Sequence, residues 1–270
     1  MNERVIEVEN LNFSYPDKTI ALRNMNFSVS RGESLAIIGP NGAGKSTLLL
    51  HLNGVLRGEG TVRVLGEKIS KENLKRIREK VGMVFQDPND QLFMPTVFDD
   101  VAFGPLNLYL EREEIEKRVD SILKELGLEG YGKKSPSHLS LGEKKKVSLA
   151  TVLVLEPEIL VLDEPTISLD PGTRRIFIDI FKDIKKTKLI ATHDLDLVLQ
   201  LCSKVVLMDK GTVIAEGACR DILRNKKLLE DHSLEVPASL ALNGLKRQEL
   251  KEENRLSFSL RRKKTACLMG

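Results

Sequence analysis

Residues 39–47 read GPNGAGKST, and no other stretch of this chain narrows the possible folds as far. The pattern G-x-x-x-x-G-K-[ST] requires a strand that stops at the first glycine and a helix that opens at the lysine. Both flanks comply. SLAIIG is a short apolar run ending at Gly39, and KSTLLLHLNGVL has helical spacing with few breakers. In the strand–loop–helix unit so predicted, Gly39, Pro40, Asn41, Gly42, Ala43 and Gly44 form a loop whose backbone N–H groups turn inward around anionic oxygens. The helix start adds the positive end of its dipole. Lys45 supplies a point charge for β- and γ-phosphates, Ser46 offers its hydroxyl to Mg²⁺, and Thr47 completes the motif.

A second constraint lies at residues 158–165, EILVLDEP, a fully buried type of strand whose apolar run ends in two acids. The ends of parallel strands converge on the ligand crevice of an α/β sheet. Beside a phosphate loop, Asp163 is placed to hold the Mg²⁺ shell, and Glu164 to act on an attacking water as general base or positioner.

The rest of the chain fits an α/β protein. RVIEVENLNFSY alternates as a half-buried antiparallel strand does, and TIALRNMNFSVSRGESLAIIGP continues in strands around an Arg31-Gly32 turn. GTVRVLGEKI predicts a strand pair, KENLKRIREK a charged helix, and VGMVFQD a strand ending at Gln86. Residues 88–138 carry little strand pattern, and EREEIEKRVDSILKELGL is an amphipathic helix closed near Gly127. Helix, strand and helix follow in RIFIDIFKDIK, TKLIATHD and LDLVLQLC. SKVVLMDKGTVIAEG reads as a hairpin, and ACRDILRN as the last helix of the main body. No internal repeat is present.

Composition excludes several classes. A chain of 270 residues, 41% of them hydrophobic, is large enough for a sizeable core. Its net charge of +3 does not point to nucleic acid. No apolar run has the roughly 18 residues needed to span a bilayer, and the charged start, MNERVIEVENLNF, is no signal peptide. Cys202, Cys219 and Cys267 form no CxxC pair, which suits a reducing cytosol without a disulfide framework. The absence of tryptophan argues against a base-stacking surface. His51, His138 and His232 have no motif around them and read as packing or surface residues.

Several further landmarks fall in a fixed order. Tyr15 lies thirty positions before Lys45, Gln86 ends GMVFQ, and LSLGE occupies residues 139–143. SLD, residues 168–170, follows the acid pair, and His193 lies in IATHD after a buried strand. With the phosphate loop and the acid pair, this order resembles that of the ATP-binding-cassette (ABC) ATPases. The resemblance implies a P-loop NTPase cassette over residues 1–230, with a RecA-like core, an antiparallel β subdomain and a helical subdomain at about residues 88–155. Residues 231–270 would be a C-terminal extension, partly helical or disordered. It further implies that Tyr15 stacks on adenine, that Gln86 contacts metal and water, and that His193 is the switch histidine. Glu164, His193 and Lys45 would carry catalysis, and Ser46, Gln86 and Asp163 would hold Mg²⁺.

In the family, LSLGE stands where a Leu-Ser-Gly-Gly-Gln signature opens a helix toward another subunit's nucleotide. Ser140, Gly142 and Asp170 would therefore act in trans, and two chains would pack head to tail around two ATP molecules. Leu141 replaces the first glycine, so its side chain must point away from the phosphate. Glu143 replaces glutamine and adds a negative charge near the site. Lys144, Lys145 and Lys146 either offset that charge or form a solvated helix face.

VFQDPNDQLFMPTVFDDVAFGPLNLYL, residues 84–110, closely resembles energy-coupling-factor importers, especially the cobalt and nickel type. That likeness implies an ATPase on the cytoplasmic face of the membrane that powers import of cobalt, nickel or a vitamin. Its partners would be a second ATPase chain, a transmembrane scaffold subunit and a substrate-capturing membrane subunit. In the family, the region after the glutamine receives a short helix of the scaffold. Leu92, Phe93, Met94, Val97, Phe98 and Phe103 would line this groove here. Asp87, Asp90, Asp99 and Asp100 would give it an acidic rim suited to arginines. The alternative function, a non-transport ABC ATPase on nucleic acid or ribosomes, draws on the basic tail KRQELKEENRLSFSLRRKK alone. The closing CLMG only superficially resembles a prenylation box.

Overall fold

The computed structural model describes residues 3–240. Two sheets divide the strands. The first is antiparallel, in the order β2-β1-β4-β5, from Arg4–Ser14 (β1), Ile20–Ser30 (β2), Glu59–Val64 (β4) and Glu67–Lys68 (β5). The second has the order β10-β9-β3-β8-β7-β6. Its strands are Ser34–Ile38 (β3), Val81–Val84 (β6), Ile159–Asp163 (β7), Thr187–Ala191 (β8), Lys204–Asp209 (β9) and Thr212–Ala218 (β10). All its pairings are parallel except β9 with β10.

Parallel strands are buried on both faces and so read as continuous apolar runs; all five residues of β7 are buried. The period of two still sorts their side chains. Ala36, Ile38, Leu160, Leu162 and Ile190 face one core, and Leu35, Ile37, Ile159, Val161 and Leu189 the other. The first core is shared with Val97–Asn107 (α3), Arg112–Glu125 (α4), Leu141–Leu153 (α5), Pro171–Asp183 (α6) and Leu195–Leu201 (α7). The second is closed by the antiparallel sheet and by Lys45–Leu52 (α1). Each fully buried Leu, Ile or Val in these layers contributes roughly 1.5–3 kcal/mol. Leu74–Lys80 (α2) leads into β6.

The P-loop α/β core, antiparallel sheet and helical lobe agree with the cassette expected from the resemblance. Three details differ. β6 stops at Val84, so Phe85 and Gln86 lie beyond the strand. ACRDILRN, now Cys219–Arg224 (α8), is followed by one more helix, Lys226–Asp231 (α9). Residues 232–240 then return to the core: Leu234 is buried there, Val236 and Leu240 pack against it, and the Ser239 hydroxyl donates to Asp196 Oδ1 at 2.6 Å. His232 shares a 2.9 Å hydrogen bond with Asp209. Cys202 and Cys219 are buried free thiols. Cys267, the basic tail from residue 241 and CLMG lie outside the described residues. No helix among the described residues is long and apolar enough to cross a membrane.

Candidate nucleotide site and composite interface

Strand order assembles the site. β3, β8 and β7 are neighbours, with β6 next to β7, so the segments leaving their carboxyl ends lie side by side. These segments are the phosphate loop, Thr192-His193, Asp163-Glu164 and Phe85-Gln86. Nothing in the spacing of the motifs along the chain requires that adjacency.

The phosphate loop is shaped by close approach. A Cβ on Gly39 would stand 2.1 Å from Met208 O of β9, and one on Gly44 would stand 2.5 Å from Ala21 O of β2. Gly44 also has φ 97° at the mouth of α1. Only glycine meets both demands. Lys45 is buried and its ammonium donates to Gly39 O at 2.8 Å and Pro40 O at 3.1 Å, which holds it against its own loop. Burial lowers its pKa, and the nearby Glu164 and Asp163 charges oppose that. Tyr15 presents an exposed ring, its hydroxyl hydrogen-bonded to Thr47 Oγ1 at 2.9 Å and its edge packed on Phe13.

The acid pair separates into two environments. Burial raises the pKa of Asp163, while the Ser46 hydroxyl hydrogen-bonds its carboxyl and lowers it. Asp163 Oδ1 is buried with no hydrogen-bond partner among the described residues, whereas Ser46 is exposed. Two hard oxygen donors, one held buried without a partner, fit Mg²⁺, which takes few protein ligands and completes its shell from phosphate and water. No group of three His, Cys, Asp or Glu that could hold a metal occurs among the described residues. The Gln86 side chain, the third expected ligand, is exposed.

Glu164 turns the other way. Its carboxylate accepts from the Thr192 hydroxyl at 2.9 Å, from His193 N–H at 3.1 Å and from His193 Nδ1–H at 2.8 Å. Arg174 buttresses this turn with two 2.8 Å bonds to Asp194, which caps α7. Sequence reasoning missed Thr192, although it lies within IATHD, and it missed Arg174.

LSLGE forms a capping box. The Ser140 side chain accepts from Glu143 N–H, and Glu143 Oε2 accepts from Ser140 N–H at 2.8 Å and from its hydroxyl at 2.7 Å. Tyr131 donates to the other oxygen at 2.7 Å. These donors hold Glu143 at a pKa of about 2, so it is a capping acid with its oxygens engaged rather than a loose charge beside the site. Nor is EKKK a solvated face. Lys145 is buried, while Lys144 donates to Asn89 Oδ1 at 2.9 Å. The missed signal was spacing: 145, 148, 149 and 152 form one helical stripe. Leu141 is exposed and points outward. A Cβ on Gly142 would stand 2.8 Å from Thr173, one turn from Asp170, so the start of α5 lies against the start of α6. Asp170 caps α6 by accepting from Gly172 and Thr173 N–H at 3.0 Å. Among the described residues, none of the three hydrogen-bonds to the phosphate loop.

A groove of about 790 Å³ opens between α2, β6 and the helical lobe. Phe93 and Phe103 line it, ring centroids 5.0 Å apart, with Phe85, Met83 and Leu108. Of the acidic rim expected from DPNDQLFMPTVFDDVAFGP, only Asp100 lines the groove; Asp87, Asp90 and Asp99 do not. Asp99 is hydrogen-bonded to Thr96, the cap of α3. Asp100 is buried, its Oδ1 accepting from Phe93 and Met94 N–H at 3.0 Å each. Asp87 accepts from Asn89 N–H at 2.8 Å in a 3₁₀ turn. Short acids beside Thr, Asn and helix starts cap the backbone before they serve a surface. Val97 is wholly buried, and Leu92 and Phe98 pack on the core. The charges on the α2 side are Lys71, Lys75 and Arg78 with Glu79.

A family model described as ABC transporter matches residues 22–167. The energy-coupling factor transporter ATP-binding protein EcfA of Methanothermobacter thermautotrophicus is 48% identical over 244 residues, covering 88% of this chain and 78% of its own. The solved structure of cbiO1 from Clostridium perfringens, part of the ABC transporter complex cbiONQ, is similar with a TM-score of 0.74 and 41% identity, covering 85% of this chain and 94% of that one. A dimeric ATP-binding cassette in a post-hydrolysis state bound to ADP and Pi is similar with a TM-score of 0.73 and 29% identity, covering 80% and 99%.

Proposed function

The chain belongs to the ABC transporter family and is an ATPase of that family, and from that premise we propose that it is the energy-supplying subunit of an energy-coupling-factor importer. The cargo is a metal ion such as cobalt or nickel, or a vitamin. It works as a pair of cassettes on the cytoplasmic face of the membrane, docked on a scaffold subunit beside a substrate-capturing one. The single observation that carries hydrolysis is the Glu164 carboxylate fixed by Thr192 and His193 at the strand ends that flank the phosphate loop.

The loop N–H groups and Lys45 bind the phosphates, and the exposed Tyr15 ring takes the adenine. Ser46 and Asp163 would hold Mg²⁺, with Gln86 reaching in from its loop; the ion supplies neutralisation of the charge that develops on the phosphates. Glu164 accepts the proton of the attacking water, while the Thr192 hydroxyl and the His193 Nδ1–H keep its carboxylate aimed. Ser140, Gly142 and Asp170 make no hydrogen bond to the chain's own phosphate loop among the described residues, which supports their serving the nucleotide of a second copy through the N-terminus of α5. The apolar groove takes a scaffold helix.

Glu164→Gln tests the proposal. Purified from membrane extract, this variant should bind ATP, release phosphate at least about 10²-fold more slowly, run as a dimer with ATP because bound ligand favours the associated state, and bring a polytopic membrane protein with it. Near-normal turnover would remove Glu164 from its role, and recovery with nucleic acid in place of a membrane protein would sink the transport reading.

A further inference from the structure

Lys145 has no task in the scheme above. It lies 4% exposed on the apolar stripe of α5, a place where an ammonium is costly unless paired. Its Nζ donates to Gln86 O at 3.0 Å and to Glu164 O at 3.3 Å. Three segments therefore meet at one atom: the loop after β6, the turn after β7, and the helix that opens with LSLGE. Burial lowers the Lys145 pKa, and the charges of Asp87, Glu164 and Asp163 oppose that.

Glu164 itself is strained. Its φ is 42°, in the left-handed region that a residue with a Cβ enters only when its surroundings hold it there. That turn swings the carboxylate out of line with β7 and toward Thr192 and His193. On the backbone, Glu164 N–H donates to Ala191 O at 2.8 Å, and the Glu164 carbonyl accepts from Lys145.

We propose that Lys145 is a positioning residue for hydrolysis: by donating to the Glu164 and Gln86 carbonyls, it locks the angle of the Glu164 carboxylate to the helix that carries the signature turn. Lys145 touches no substrate, and its role rests on Glu164 being the base. The arrangement also links two nucleotides. Because α5 opens at Ser140, a shift of that turn against the partner's ATP moves Lys145, and with it the backbone of this chain's own Glu164. An ammonium suits the position because one head with three donors reaches two carbonyls on different segments.

The experiment uses the full chain with Lys145→Met, which keeps the length and removes every donor, and Lys145→Gln, which keeps a shorter donor. Each is made alone and with Glu164→Gln. Multiple- and single-turnover hydrolysis, ATP affinity and thermal unfolding are measured. Lys145→Met should lower kcat about 10- to 100-fold, the scale of a misplacement on the order of 1 Å, with KM and ATP affinity held. Lys145→Gln should restore part of the loss. On Glu164→Gln, neither change should slow the single-turnover rate further, because groups acting as one unit are not additive. Wild-type kcat in Lys145→Met overturns the proposal. So does a kcat loss matched by loss of ATP affinity, or a full multiplicative loss on top of Glu164→Gln. Should Lys145→Met fail to fold, Lys145→Gln decides: it must lower kcat at constant KM, and wild-type kcat overturns the proposal. Rapid turnover by Glu164→Gln alone would instead sink the base assignment, a different result from a dead Glu164→Gln beside a fully active Lys145→Met.

Discussion

Asp100 pins the wall of the apolar groove, and replacing it tests whether docking depends on that wall. Its Oδ1 accepts from Phe93 and Met94 N–H at 3.0 Å each, which pins the segment carrying the Phe93 ring to the start of α3. A hydrogen bond to a charged group contributes about 1.5–3 kcal/mol, so two give about 3–6 kcal/mol as an upper bound. Burial works against this: Asp100 Oδ2 has no partner among the described residues, and desolvation raises the pKa of the carboxyl. Removing the side chain relieves that penalty, so Asp100→Ala should cost a net of about 2–3 kcal/mol. For a chain of this size that lowers Tm by about 4–12 °C. Asp100→Asn keeps an acceptor for the two N–H groups and should cost about 1 kcal/mol or less. It puts a donor amide at the buried, unpartnered Oδ2 position. Circular-dichroism melts, ATP affinity and co-purification with the scaffold subunit give the answer. Asn should keep fold, nucleotide and scaffold, while Ala should lose stability and, with the groove wall unpinned, scaffold binding. The sign with pH is also fixed. The folded pKa is raised above 3.8, so falling pH relieves the burial penalty of this carboxylate as it passes the folded value, a gain that Asp100→Asn lacks. An Asp100→Ala melt within about 2 °C of wild type would refute the two-bond account of the groove wall.

The composite site is tested by mixing. Ser140→Arg should damage the site completed by the partner's phosphate loop and Lys45→Ala its own, so an isolated heterodimer of the two variants should regain activity that neither homodimer has; fully active Ser140→Arg monomers would contradict it. Glu143 has a folded pKa lowered from 4.5 to about 2. Its contribution is therefore present above about pH 4.5 and lost as pH falls toward 2. Glu143→Gln, which can still close the capping box but carries no charge, should melt below wild type at pH 7 and show a smaller loss of Tm between pH 5 and about pH 3, so that the two curves converge in acid. An unchanged acid profile would mean that the Tyr131 and Ser140 bonds to Glu143 contribute nothing.

What the sequence could determine was local. GPNGAGKST specifies its own loop because glycine is the residue that tolerates φ of 97° and the near-contact with β2 at Gly44. ILVLDEP specifies a doubly buried strand with acids at its end, since a run of four apolar residues and no polar alternation has few other uses. The order of Tyr15, Gln86, LSLGE, the acid pair and His193 then carried the resemblance. Adjacency was beyond its reach. That β3, β8, β7 and β6 lie side by side follows from packing across both faces of the sheet, and it alone brings Thr192 and His193 onto Glu164. Charge was misjudged for the same reason. Read along the chain, Asp99, Asp100, Glu143 and Lys145 are four surface ions in polar stretches. In the fold, Asp99 is taken up locally by Thr96, and the other three are claimed by groups that the folded chain brings into range: Phe93 and Met94 N–H for Asp100, Tyr131 for Glu143, and the carbonyls of Gln86 and Glu164 for Lys145. A charged side chain shows its type in the sequence, but its partner is set by whatever unpaired polar group the folded backbone leaves within hydrogen-bonding distance.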